Sequence, residues 1–107
     1  MASVLVAEEL RPDHAWRVDA EVDGVVGAIA IVERNGPEAI VRAIVTMPGF
    51  ERLGLAGELL EACAELARRH GATVLSASCA PGDRATKALF EEAGLRTVEL
   101  RLARSLA

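Results

Sequence analysis

Apolar and polar positions alternate strictly from Trp16 to Val22, with Trp16, Val18, Ala20 and Val22 set against Arg17, Asp19 and Glu21. That two-residue period is the mark of a half-buried strand, and Asp23-Gly24 follows it as a hairpin turn. Val25 to Glu33 is almost continuously apolar around Gly27, which predicts a central strand buried on both faces. Arg34-Asn35-Gly36-Pro37 turns the chain, and Ala39 to Thr46 is a third run whose one interior charge is Arg42. Short turns on both sides of the middle run predict a three-stranded antiparallel meander. Upstream, the apolar start of Ser3 to Leu10 is a candidate strand, closed by the turn Arg11-Pro12-Asp13-His14.

Beyond Pro48 the period changes. Leu55, Leu59, Ala62, Cys63 and Leu66 recur at steps of three and four, which places them on one face of a helix. Glu58, Glu61, Glu65, Arg68 and Arg69 take the solvated face, with the basic residues near the C-terminal dipole before Gly71 ends the helix. Thr73 to Ala80 reads as a short strand and Pro81-Gly82 breaks it. Asp83 is placed to cap a second helix from Arg84 to Ala93, which Gly94 closes. Val98, Leu100 and Leu102 then alternate with Thr97, Glu99 and Arg101 in a last strand. The fold class is therefore α+β: a mixed sheet in which an antiparallel meander is followed by strand, helix, strand, helix, strand. The first crossover helix should make its flanking strands parallel.

Composition narrows the function classes. A chain of 107 residues, 51% hydrophobic and 26% charged, has the length and balance of one globular domain over residues 1–107. A net charge of -4 without a basic run argues against nucleic acid or an anionic membrane as the main partner. No apolar run reaches the roughly 20 residues of a membrane span, and the first residues lack the basic start of an export signal, so a cytoplasmic location is expected. Cys63 and Cys79 have no metal-like spacing and read as buried thiols, and no metal site is expected.

The stretch between the third run and the first helix carries the candidate chemistry. A strand that stops at Pro48, a loop bearing Gly54 and Gly57, and a helix N-terminus form an arrangement suited to anions. First-turn amides lack intrahelical partners, the dipole favours negative charge, and glycines let a phosphate approach the main chain.

With this order of elements the chain resembles the GCN5-related N-acetyltransferases (GNAT) over roughly residues 16 to 102. The family motif R/Q-x-x-G-x-G/A lies on Glu51-Arg52-Leu53-Gly54-Leu55-Ala56, where Gly54 and Ala56 match and Glu51 departs. A second family stretch falls on residues 83–95, where Leu89, Glu91 and Gly94 match, while Asp83 replaces Asn, Thr86 Ala, Phe90 Tyr and Leu95 Phe. Two motifs in order, with a strand between, are more specific than either alone. The resemblance implies that acetyl-CoA is the co-substrate, its pyrophosphate on Arg52, Leu53, Gly54, Leu55, Ala56 and Gly57, with Asp83 nearby. It also implies that a backbone amide among Val45, Thr46 and Met47 binds the thioester carbonyl. Members usually have one or two helices between their first two strands and a closing two-stranded hairpin, and only Arg11 to Ala15 stands in the first place here.

Acyl transfer to an amine also needs a proton for the leaving thiolate. The family's usual donor is the tyrosine that Phe90 replaces, and the chain holds no tyrosine. Cys79, at the end of its strand, is the substitute candidate, because a thiol exchanges protons near neutral pH. Glu33 and Glu38 border the central hairpin, and the base is left unassigned. The expectation is an acetyl-CoA-dependent N-acyltransferase acting on a small or peptidic amine. The alternative is a non-catalytic acetyl-CoA-binding regulatory module. A homodimer is expected, because a sheet edge left open by a missing closing strand tends to be paired.

Overall fold

The computed structural model describes residues 3–77, 84–92 and 94–95. Five strands form one sheet in the order β1-β2-β3-β4-β5: β1 (Ser3–Arg11), β2 (Ala15–Val22), β3 (Val25–Asn35), β4 (Glu38–Thr46) and β5 (Val74–Ala77). The first four run antiparallel, and β5 pairs with β4 in parallel. Helix α1 (Leu55–Arg69) makes the crossover that this parallel pair requires, and α2 (Arg84–Glu92) follows β5. The α+β mixed sheet is thus as the patterning indicates, and the meander gains a strand: β1 pairs with β2 from Ser3 to Arg11. The strand expected over 97–102, like Cys79 and Asp83, lies outside the described residues.

One face of the sheet meets α1. Trp16, Val18 and Ala20 of β2, Ala28, Ala30 and Val32 of β3, and Ala39 and Val41 of β4 are buried with Leu55, Leu59, Leu60, Cys63 and Ala67 of α1. The alanines of β3 are what let the helix lie close. Leu60 and Ala67 extend the helical stripe beyond the positions that spacing alone marks, whereas Ala62 and Leu66 are only partly buried at its rim. β3 is not buried on both faces as its composition suggests, because Ile29 and Ile31 alternate with the core residues and stay half-exposed. A continuous apolar run cannot distinguish these two cases.

The ends of α1 are set by backbone conformation. Gly54 caps its start with φ 76°, in the left-handed region that a side chain disfavours, and Gly71 follows its end with φ 92°. Phe90 of α2 joins the core, and Gly94 closes that helix with φ 89°.

Candidate functional site

The loop 47–54 carries the chain from the end of β4 to the start of α1. Gly54 lends no side chain to the helix, and no side-chain cap is present. The first helical bond runs from the Glu58 amide to the Gly54 carbonyl at 3.2 Å. The amides of Leu55, Ala56 and Gly57 therefore lie before the first intrahelical donor, at the positive end of the dipole. Space around them is open, since a Cβ on Gly54 or Gly57 would meet nothing within 4 Å.

Two carboxylates near this turn are already engaged. Glu51, which stands where the family motif has Arg or Gln, accepts the Gly49 amide at 2.8 Å and so serves the loop itself. Glu58 accepts the hydroxyl of Ser3 at the start of β1. Arg52 is exposed and holds φ 67°, a left-handed conformation in a residue with a side chain. Leu53 is also exposed, at 39%.

At the end of β4 the three candidate amides separate. Met47 donates its N–H to the Gly27 carbonyl at 2.8 Å and is not free for a ligand. Alternate residues of an antiparallel ladder turn their amides the same way, so Val45, opposite Ile29, also faces β3, while Ile44 and Thr46 turn theirs towards the β5 side. Of Val45, Thr46 and Met47, only Thr46 keeps an outward amide, and Ile44 joins it. Described pairing between β4 and β5 runs from Glu38↔Val74 to Val41↔Ala77, so neither amide has a partner among the described residues of β5. The register of β4 against β3 shifts at this point, with Val41 opposite Val32 and Ala43 opposite Ile31, leaving Arg42 as the extra residue of a bulge. Alternation alone did not reveal the bulge; a single charge inside an apolar strand was its only trace.

Glu33 reaches Arg11 at 3.3 Å and Arg42 at 3.7 Å, so it belongs to a surface ion-pair group. Arg17 donates to Asp19 at 2.7 Å, and that hydrogen bond and charge raise the guanidinium pKa further. Phe90 is 7% exposed and contributes packing, with no hydroxyl to offer. The Cys63 thiol is fully buried, and desolvation pushes its pKa up to about 11, which makes it inert at neutral pH. Two further residues matter to the loop: Gly27, signalled in the sequence only as an isolated glycine inside a strand, and Phe50, an aromatic residue in a connection.

A bulge in β4 and, after it, a helix N-terminus without a side-chain cap are the features that the strand-to-helix connection presents. The chain belongs to the acetyltransferase (GNAT) family, whose sequence profile matches residues 3–95. Among solved structures it is similar to the aminoglycoside N-acetyltransferase AAC(6')-Iy in complex with CoA, at 19% identity and TM-score 0.82, covering 92% of this chain and 80% of that one. The same enzyme with the bisubstrate analogue CoA-S-monomethyl-acetylneamine gives 19% identity and TM-score 0.82, covering 92% and 73%. The aminoglycoside 6'-N-acetyltransferase AAC(6')-Ih from Acinetobacter baumannii matches at 17% identity and TM-score 0.78, covering 92% and 73%. At these identities the likeness is one of fold. No curated protein sequence matches the chain.

Proposed function

We propose that the protein is an acetyl-CoA-dependent N-acyltransferase acting on a small or peptidic amine. The observation that carries this reading is the uncapped start of α1, where Gly54 in a left-handed conformation leaves three first-turn amides without a partner among the described residues. The coenzyme pyrophosphate would sit on Leu55, Ala56 and Gly57, with Arg52 and Leu53 lining the approach and Asp83 assigned to the same region. The pantetheine arm would run along β4 and take the Ile44 and Thr46 amides. The Thr46 N–H is the proposed donor to the thioester oxygen, so negative charge that develops there meets a fixed dipole.

In this scheme a neutral amine attacks the carbonyl carbon, forming a C–N bond and placing an electron pair on the oxygen. Collapse re-forms the carbonyl and breaks the C–S bond. The amine gives up one proton to solvent, and the departing sulfur takes one from the proposed donor, Cys79. Glu33, paired with both Arg11 and Arg42, is not a free carboxylate to act as base.

The acceptor class rests on the family and on neighbours whose names give aminoglycosides as their substrates, so aminoglycosides head the amines to try. A homodimer and a cytoplasmic location complete the proposal. The free buried thiol of Cys63 fits a reducing compartment. One observation favours the second reading, a coenzyme-binding regulatory module without turnover: Phe90 is a core residue where the family places its acid.

Calorimetry with acetyl-CoA, followed by mass spectrometry of an amine panel incubated with the protein, separates these outcomes. Binding with acetylated product is the expected result. Binding without product on any amine would leave the regulatory reading, and no binding would remove both. Cys79→Ala should stay folded and lose turnover within the roughly 10²- to 10⁴-fold range of general acid catalysis.

A further inference from the structure

We infer that Phe50 is a positioning residue for the coenzyme loop, seated in a slot that Gly27 leaves open in β3. The inference rests on the reading of the α1 N-terminus as the pyrophosphate site. Gly27 is the extra residue of a bulge, since Ala20 pairs with Ala28 and Glu21 with Val26. It is buried, and its value there is space. A Cβ at Gly27 would lie 2.5 Å from Cδ1 and 3.0 Å from Cγ of Phe50, and 2.7 Å from Cδ1 of Leu55. Carbon atoms in contact stand about 3.5 to 4.0 Å apart, so any larger residue must displace the ring.

The same glycine holds the start of the loop through its carbonyl, which accepts the Met47 amide at 2.8 Å. The Phe50 amide then bonds the Met47 carbonyl at 3.1 Å, and this turn aims the ring at Gly27. The loop is thus fastened to β3 three times: by the Met47 backbone, by the Phe50 ring, and by the Leu55 side chain at the first helical residue. Pro48, Gly49 and Glu51 to Gly54 between these points are exposed, and the bond from Gly49 to Glu51 lies within the loop. Arg52 and Gly54 both hold left-handed conformations next to the first-turn amides of α1. Such conformations persist where the surroundings fix them, and the Phe50 ring is the one side chain of 48–54 that packs against the core.

Removing the ring should leave the sheet and α1 standing while the amides of 52–57 lose their common orientation. The test combines amide hydrogen exchange with acetyl-CoA calorimetry on Phe50→Ala, Gly27→Ala and the double variant. Val18→Ala serves as a control that destabilises the core away from the loop. Phe50→Ala should exchange faster at 52–57 than the control does, and should lose about tenfold to a hundredfold in coenzyme affinity. Gly27→Ala should reproduce both effects and add less in the Phe50→Ala background than in the wild type, because the ring it evicts is already gone and only the clash with the flexible end of Leu55 remains. Should Phe50→Ala fail to fold, Phe50→Leu takes its place and should show both effects to a smaller extent. Loop exchange and affinity equal to those of the Val18→Ala control would overturn the inference while leaving the proposed function intact. If the wild type binds no acetyl-CoA, the function reading fails, and loop exchange alone decides whether Phe50 orders the loop.

Discussion

The rings of Trp16 and His70 lie 4.5 Å apart at 44°, which fastens the C-terminal end of α1 to β2. His70 is the C-cap of that helix, and its Nδ1 also stands 3.2 Å from Asp13 Oδ1 in the turn between β1 and β2. Trp16 is 3% exposed, so its truncation empties a large volume between sheet and helix. Trp16→Ala should cost about 3 to 5 kcal/mol, as large aromatic truncations in cores do. His70→Ala removes mainly the ring contact and should cost about 0.5 to 1.5 kcal/mol. Urea unfolding followed by circular dichroism measures both, and equal losses would mean that the ring contact dominates the site.

Gly57 offers a cleaner probe of the anion site than Gly54. A side chain at Gly54 would be strained by φ 76° whatever its charge, whereas Gly57 lies inside α1 with open space at its Cβ. Gly57→Glu puts a carboxylate in the first turn, where the helix dipole favours it by about 0.3 to 1 kcal/mol, and replaces a poor helix former. Thermal stability should therefore hold or rise while acetyl-CoA affinity falls. Unchanged affinity in calorimetry would move the pyrophosphate elsewhere.

Cys63 gives a pH dependence with a definite sign. Burial raises its pKa from 9.0 to about 11, so the folded state disfavours the thiolate. Below pH 9 both folded and unfolded chains carry the neutral thiol and the residue has no net effect. Between 9 and about 11 the unfolded chain releases the proton first, so stability falls as pH rises through this window, by an amount on the order of 2 kcal/mol. Denaturation curves at pH 8 and pH 10.5 should diverge more for the wild type than for Cys63→Ala. Identical pH dependence in the two proteins would show that the thiol ionises without strain.

Periodicity made β2, β4 and α1 legible because each has one face against the core, and alternation or three-four spacing records that contact directly, whereas β1 is exposed from Val4 to Arg11 and carries no such record. The left-handed glycines at 54, 71 and 94 were legible for a related reason, since few other residues tolerate those angles. Arg42 and Gly27 were not, because a bulge adds one residue without changing the composition of its strand. Nor could spacing show which of Val45, Thr46 and Met47 keeps a free amide, a property of ladder register and not of side chains. In the sequence Glu51 is only a departure from the family motif, and its bond to the Gly49 amide is what assigns it to the loop.

The edge of the sheet at β1 bears on the expected dimer. Val4 is 60% exposed, Leu5 42% and Val6 44%, and the strand pairs with β2 on one side only among the described residues. Its second half is guarded, because Glu8 and Glu9 are charged and the register shifts between Glu9 and Arg11 around Leu10. The first half, Ser3 to Ala7, is uncharged and unbroken. A two-fold axis at Leu5 would set Val4 of one copy against Val6 of the other in an antiparallel pair, leaving no like charges opposed. Five residues of strand pairing fall well short of the roughly 1,200 Å² that stable complexes bury, so the association should be weak and concentration-dependent. Analytical ultracentrifugation should show dimer growing with concentration for the wild type and monomer throughout for Val6→Lys, which places a charge on the uncovered edge. A wild type that stays monomeric to near-millimolar concentration would sink the dimer, and a Val6→Lys protein that still dimerises would move the interface away from β1.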